Sequence, residues 1–500
     1  MELWSFSARE LARGYRAGAF TPLEALEAVL TRIGSLDPEI NAFATLDPAG
    51  AREAAIAAGD RLGRGDAHPL CGIPVTVKDL IATRGLRTTG GSRLYERYVP
   101  PADSAAVERV RAAGAVIVGK TTTCEFGHKL TGDSALFGLT RNPHDRGRTS
   151  GGSSGGAAAG LAAGFGPLAI GTDAVGSIRV PAAFCGVIGL KPTYGLVPRA
   201  PGLPPSWDSL AHTGPMGRTI GDVAVLLDAI AGPDGRDRAS IALPAAFRAP
   251  SDYADVDVRA LRIGFTPTLD GAPVDPAVAL AVRDAVDTLR SAGLAVFDEA
   301  PDLRGALDVV HTIGLSELAA SRAGDTPAER ALLDPSLARV LAAVPAWSAI
   351  DYVRATAERT TLWRAMQALF ERVDVLLLPT VPIAAFAAGE IGVREIDGVA
   401  VDDHLGWSPF SFPFNLTGLP ALTIPTRLRA AGMPVGLQIV GPRYAEATLL
   451  AVGAAYERAA GAPYRTGSGN AGVLGEQPSG VPTGGVNGSG CVSVTPNSSG

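Results

Sequence analysis

The stretch from Thr149 to Pro181 constrains this chain more than any other. It reads Thr149-Ser-Gly-Gly-Ser153-Ser-Gly-Gly156, runs through Ala, Gly and Leu to Gly166, and closes on Gly171-Thr-Asp173-Ala-Val-Gly-Ser177-Ile-Arg179-Val-Pro181. Glycines beside a hydroxyl remove Cβ atoms, so the backbone can turn tightly and bring N–H groups close to a bound atom. A reacting carbonyl oxygen needs such donors. Two glycine-wrapped serines in one stretch therefore predict a catalytic turn rather than a packing device.

The flanking sequence predicts what carries that turn. Ser7-Ala-Arg-Glu10 and Thr21-Pro22-Leu-Glu24 read as helix starts, each with a capping hydroxyl and a glutamate three residues on. Helical spacing continues through Leu26, Val29, Leu30 and Ile33, and again from Ala49 to Leu62. Gly72-Ile-Pro-Val-Thr-Val-Lys78-Asp79 is a β-branched strand ending at a lysine, and Ala115-Val-Ile-Val118 is the next strand. This alternation predicts an α/β fold, with a large mixed, mostly parallel sheet covered by helices on both faces. One domain is expected over 1–465. Within it, 303–373 is irregularly helical and, with Trp347, Tyr352 and Trp363, is a candidate lid or apolar tunnel. Residues 466–500 are glycine-rich with one charge, Glu476, and read as a flexible tail.

Composition excludes several function classes. Acids and bases are interspersed around a net charge of -6, without a basic run, so neither nucleic acid nor an anionic membrane is an expected partner. The N-terminus lacks a basic region followed by an apolar core, and the expected location is the cytoplasm. The four cysteines show no metal-ligand spacing, so neither a metal nor a cofactor is expected, and the thiols read as buried. A small molecule is the default partner; a homodimer is left open. Of 44 basic residues only four are lysines, Lys78, Lys120, Lys129 and Lys191. Arginine cannot be deprotonated in a protein and lysine can, so Lys78 at the end of an apolar strand stands out.

Three patterns compete for the chemistry. Gly114-Ala-Val-Ile-Val-Gly119-Lys120-Thr121 has P-loop spacing, but the residues between its glycines read as strand, not as a loop around phosphate. Gly151-Gly-Ser153-Ser-Gly155 has the spacing of a nucleophile elbow, yet His212, His311 and His404 sit in undistinguished settings and Ser177 is left without a purpose. The third reading uses all the unusual residues. Ser177 attacks, a base must take its proton, and a lysine neutralised by burial can serve, with Ser153 relaying between them. The backbone N–H groups of Ala174, Val175, Gly176 and Ser177 then face the developing oxyanion.

Gly151 to Gly156, Gly171 to Ala182 and Gly186-Val-Ile-Gly-Leu-Lys-Pro-Thr-Tyr-Gly195, together with Gly72 to Asp79, Gly214-Pro-Met-Gly-Arg-Thr219 and Gly436-Leu-Gln-Ile-Val440, resemble the amidase signature family over most of 1–465. The resemblance implies that family's fold and a Ser-cisSer-Lys triad: Ser177 as nucleophile, Ser153 after a cis peptide bond, and Lys78 as base. It implies acyl transfer through an acyl-enzyme, with hydrolysis of carbon–nitrogen bonds. Asp173 and Arg179 flank the nucleophile and are expected to pair and hold its turn.

One position departs from the family, which usually has Gly-Gly before the nucleophile where this chain has Val175-Gly176. A valine at positive φ is a true outlier, so a negative φ is expected at Val175. Its side chain is also expected to narrow the space beside the acyl group, so that Val175→Gly changes substrate preference. Cys124, Phe126, Gly127 and Trp207 are candidate pocket residues. No cluster of charge marks these segments, so small apolar or aryl amides are the expected substrates, with esters and carbamates (urethanes) within reach. Two alternatives stand beside this free-standing amidase: a glutaminase-type subunit of a tRNA-dependent amidotransferase, and a non-catalytic binding protein on the same fold.

Overall fold

Apolar strands that alternate with helices must bury both faces, and the chain satisfies this with one eleven-stranded sheet. The computed structural model describes residues 2–65, 68–203, 207–245 and 247–461, so the expected 466–500 tail and Cys491 lie outside the described residues. In chain order the strands are β1 (Phe43–Leu46), β2 (Pro74–Lys78), β3 (Val116–Thr121), β4 (Leu168–Asp173), β5 (Ile188–Lys191), β6 (His212–Gly217), β7 (Arg262–Phe265), β8 (Ala295–Asp298), β9 (Val375–Pro379), β10 (Ala421–Ala430) and β11 (Met433–Val440). Across the sheet they run β1-β3-β2-β4-β6-β5-β10-β11-β9-β7-β8. Residues 116–121 of the P-loop spacing that starts at Gly114 therefore lie on β3, in strand, as its valines and isoleucine predict.

The sheet is mixed, but antiparallel neighbours outnumber parallel ones, whereas a mostly parallel sheet is the sequence expectation. Only β2–β3, β2–β4, β7–β8 and β7–β9 run parallel. The centre is antiparallel because β10 and β11 form a hairpin across Ala431 and Gly432, both at positive φ (48° and 76°). Two residues at positive φ give a turn whose twist matches that of paired strands, and such a turn enforces antiparallel pairing.

The buried apolar residues divide into three groups. One packs β2, β4, β7 and β11 against the Ile220–Ile230, Pro276–Ser291 and Glu446–Ala459 helices. A second lies on the opposite side, under the Pro22–Ile40 and Gly155–Ala163 helices. The third joins the loops around the two serines to the helices of 303–373 and to Leu405–Leu419. Proline punctuates the helices of 303–373: Asp334 caps the Pro335–Ala343 helix through its carboxylate, and Ser348 caps Ala349–Phe370. No helix among the described residues is long and apolar enough to cross a membrane.

Candidate active site

The site is assembled at the C-terminal ends of two adjacent parallel strands, β2 and β4. β2 ends on Lys78, whose side chain is fully buried beneath the serine loops. Its Nζ has three partners: Ser153 Oγ at 2.7 Å, Thr172 Oγ1 at 2.8 Å and the Thr172 carbonyl oxygen at 3.3 Å. Burial pushes the ammonium pKa down to about 7, against the opposing pull of Cys124 and Asp173. A neutral amine offers two N–H donors and one lone pair. The two oxygens of Thr172 can accept both N–H bonds, which leaves the lone pair for the Ser153 hydroxyl proton. Thr172 is a site residue that the sequence reading missed.

The serine loops are fixed by groups that tolerate no added atom. The Gly152–Ser153 peptide is cis. A Cβ on Gly152 would overlap the backbone of Thr131, and one on Gly127 would lie 3.2 Å from Ser153 Oγ. The Ser154 N–H donates to the Ser177 carbonyl at 3.0 Å, which ties the two serine turns together. Ser177 Oγ is buried and has no hydrogen-bond partner among the described residues.

The turn that carries Ser177 is built around a buried ion pair. Arg179 and Asp173 are both fully buried, with Nε and Nη2 each donating to a different carboxylate oxygen at 3.0 Å. The expected pairing is thus present, in the bidentate form that fixes both planes. Burial by itself raises a carboxyl pKa, but the Arg179 guanidinium beside it holds Asp173 well below the usual carboxylate range. The Asp173 carboxylate also accepts from the N–H groups of Gly176 (2.8 Å) and Ile178 (3.1 Å). On its far side Arg179 donates to the Ser411 carbonyl, Gln438 Oε1 and Asn415 Oδ1 at 2.8, 2.8 and 2.6 Å.

Two expectations at this turn need correction. The Gly176 N–H is used by Asp173, so it points at the turn's own carboxylate; Ala174, Val175 and Ser177 keep backbone N–H groups without a partner among the described residues. Val175 has no positive φ; that conformation falls on Gly176, at 129°. The valine side chain belongs to the buried apolar group that also holds Val180 and Ala183 and is not among the residues lining the cavity, so the expected narrowing is not seen there.

That cavity, of about 310 Å³, opens over Ser153 and Ser177. Phe126, Gly127 and Trp207 line it as expected. Cys124 does not: it is fully buried and its thiol donates to the Lys129 carbonyl at 3.2 Å. The mouth carries Arg199, Asp208 and Asp237, so the uncharged rim expected from the sequence is absent. Arg199 pairs with Asp208 at 3.3 Å, and Arg238 donates to the same carboxylate. Among the described residues, none that lines this cavity comes from 303–373, and Trp363 is partly exposed.

Comparison with known proteins gives a consistent answer. The sequence model of the amidase family matches residues 24–450. The A subunit of the glutamyl-tRNA(Gln) amidotransferase of Roseiflexus castenholzii is 41% identical over 470 residues, covering 88% of this chain and 93% of that protein. Its counterpart in Thermus thermophilus is 40% identical over 476 residues, covering 90% and 97%. Among solved structures, a bacterial aryl acylamidase superposes with a TM-score of 0.83 at 30% identity, over 91% of this chain and 96% of that one. The 6-aminohexanoate cyclic dimer hydrolase does so at 0.82 and 30%, over 92% and 98%. With the match spanning nearly all of the described chain, and the fold shared with solved amidases, the chain belongs to the amidase signature family.

Proposed function

We propose that Ser177 is the nucleophile of an acyl transfer that cleaves the carbon–nitrogen bond of a small carboxamide. The observation that carries this is the contact of a fully buried Lys78 Nζ with Ser153 Oγ at 2.7 Å. The neutral amine takes the Ser153 proton as Ser153 takes that of Ser177, and Ser177 Oγ bonds to the carbonyl carbon. The oxyanion is met by the N–H groups of Ala174, Val175 and Ser177. The carbon–nitrogen bond then breaks, and the proton held on Lys78 returns through Ser153 to the leaving nitrogen. Water, deprotonated along the same path, releases the acid.

For the substrate, glutamine is the reading best supported, with this chain as the glutaminase-type subunit of a tRNA-dependent amidotransferase and with the other subunits and glutamyl-tRNA(Gln) as its partners. Two observations support it. Eight relatives sharing 35–41% identity across about nine-tenths of the chain are all A subunits of glutamyl-tRNA(Gln) amidotransferases. The cavity mouth also holds both charge signs, Arg199 against Asp208 and Asp237, which suits a zwitterionic amide better than an aryl one. A free-standing amidase on aryl or aliphatic amides is the second reading, favoured by the superposition on an aryl acylamidase. Carbamate and ester cleavage belong to that second reading.

The experiment is a matched panel of glutamine, an aryl amide, a primary aliphatic amide, an ester and a carbamate. Each is offered to the purified chain alone, to the chain with added amidotransferase partner subunits, and to Ser177→Ala. Glutamine turnover that needs the partner subunits and vanishes in Ser177→Ala supports the first reading. Efficient aryl amide turnover by the lone chain replaces it with the second. Activity surviving in Ser177→Ala refutes the serine mechanism.

A further inference from the structure

Phe126 and Trp207 form the aromatic walls of the cavity, and both adopt positive φ, 50° and 59°. Left-handed backbone is costly for a bulky side chain, so each must be held there by its surroundings. Locally, the Phe126 N–H donates to the Gly90 carbonyl at 2.8 Å and its ring meets Tyr95 edge-on, while the Trp207 carbonyl accepts from Leu210 and Ala211; the longer-range braces come from 303–373, the segment that contributes no atom to the cavity lining. The Arg322 guanidinium lies 4.6 Å from the centre of the Phe126 ring. The residue before Phe126 is locked to the same segment: Glu125 accepts from the Asp334 N–H at 2.6 Å and from Ser92 Oγ at 2.5 Å. Two residues after it, His128 Nε2 meets Ser336 Oγ at 2.9 Å, and Lys129 Nζ donates to that hydroxyl at 3.0 Å.

Trp207 is braced in the same way. A Cβ on Gly314 would overlap its six-membered ring, so the indole rests directly on the backbone of the π-helical turn His311–Leu315. The chain just beyond is tied down by the Ser209 N–H donating to Glu317 Oε2 at 3.1 Å and by Arg359 Nη2 donating to the Ser209 carbonyl at 3.1 Å. π-turns inside helices occur frequently at functional sites.

We infer that residues 311–336 select the acyl group from behind the cavity wall: Gly314, Arg322, Asp334 and Ser336 are positioning residues that set how far Trp207 and Phe126 stand apart, and so how bulky an acyl group fits over Ser177. This rests on the reading of the cavity as the acyl site. It separates the two tasks in the fold. The serine loops and strand ends fix the reaction, and the helical segment fixes the width of what is accepted.

The test measures binding as well as turnover. Propionamide and benzamide are titrated into Ser177→Ala, alone and combined with Gly314→Ala or Arg322→Met, and the ratio of their dissociation constants is taken. In the Ser177-containing proteins, kcat/KM for acetyl and benzoyl anilides gives a second ratio. Gly314→Ala pushes Trp207 inward and is expected to lower the preference for the bulky member by about tenfold, the scale of one misfitted group in an apolar pocket. Arg322→Met, which keeps the aliphatic stem but removes the cation from the Phe126 ring, is expected to shift it about threefold. If Gly314→Ala does not fold, Arg322→Met together with Ser336→Ala carries the test. Ratios unchanged within error in folded variants, or both amides bound no better than to a denatured control, overturn the inference. Shifted binding ratios with no anilide turnover by any Ser177-containing protein instead sustain it and count only against the free-standing amidase reading.

Discussion

Replacing either member of the Asp173–Arg179 pair is expected to destabilise the protein strongly, and replacing both is expected to cost much less than the two single losses together. Both side chains are fully buried, and the carboxylate also holds the Gly176 and Ile178 N–H groups. Arg179→Met strands a buried carboxylate and Asp173→Asn a buried guanidinium; each loss is about 3–5 kcal/mol when the partner stays behind unpaired. An unfolding entropy of ~2.1 cal/mol/K per residue, over the compact unit Met1–Thr466, gives roughly 1 kcal/mol/K, so each single variant lowers Tm by about 3–5 °C. In the double variant no charge is left alone, and a coupling of about 2–3 kcal/mol should be recovered. Calorimetric melting of the four proteins at pH 7 reads the cycle. The folded Asp173 carboxyl titrates below its unfolded value, so its contribution to stability is complete above about pH 4 and is lost only as pH falls further. The cycle should therefore read the same at pH 6 and pH 8. Single losses that simply add, to within about 0.5 kcal/mol, refute the idea that this pair is one unit. Asp173→Ala with both stability and rate untouched would make the two residues independent loop charges.

The remaining predictions concern the site itself. Lys78→Arg keeps the charge but cannot give up its proton, and kcat should fall by about 10³-fold or more. In the unaltered protein kcat/KM should rise with pH through an apparent pKa near 7 as Lys78 becomes neutral; a flat profile between pH 6 and 8 contradicts a lysine base. Gly176→Ala places a Cβ 2.7 Å from the Ser411 side chain at φ 129°, and should leave a protein with little Ser177 labelling by a serine-directed phosphonate. Thr172→Val removes one of three Lys78 contacts, so activity should drop about tenfold, with the acidic limb of the pH profile displaced. All four lysines are buried, so an amine-reactive reagent should modify none of them in the folded protein and all of them after denaturation, as peptide mapping would show.

What could be read from the sequence follows how far apart the cooperating atoms lie along the chain. Ser177, Asp173 and Arg179 are within six residues, and Ser153 lies in the same glycine-rich stretch, so one local pattern carries the Ser177 turn and its ion pair. Lys78 was legible for a different reason: a lysine in an apolar strand of a chain that otherwise uses arginine. The groups that complete the turn had no such signal. Ser411, Asn415 and Gln438 reach Arg179 across 232 to 259 residues, and an ordinary Asn or Gln gives no hint of that destination. Gln438 even lies inside a stretch that carried the family resemblance, without its role being readable there. The central hairpin is not legible in the sequence because Ala431-Gly432 is a weaker turn signal than Asn-Gly, and the strand–helix alternation alone points to a mostly parallel sheet. The same separation explains why the reaction was easier to read than its substrate. Here Ser177 and the backbone N–H groups proposed to face the oxyanion share one turn, so they leave a compact motif. The walls of the cavity are set by Arg322 on Phe126, by Gly314 under Trp207 and by Arg199 and Asp208 at the mouth, on two stretches of chain outside the serine loops. Selectivity spread over such contacts can change while the motif stays fixed, so one catalytic turn can serve many amides, and its sequence names the bond broken before it names the molecule.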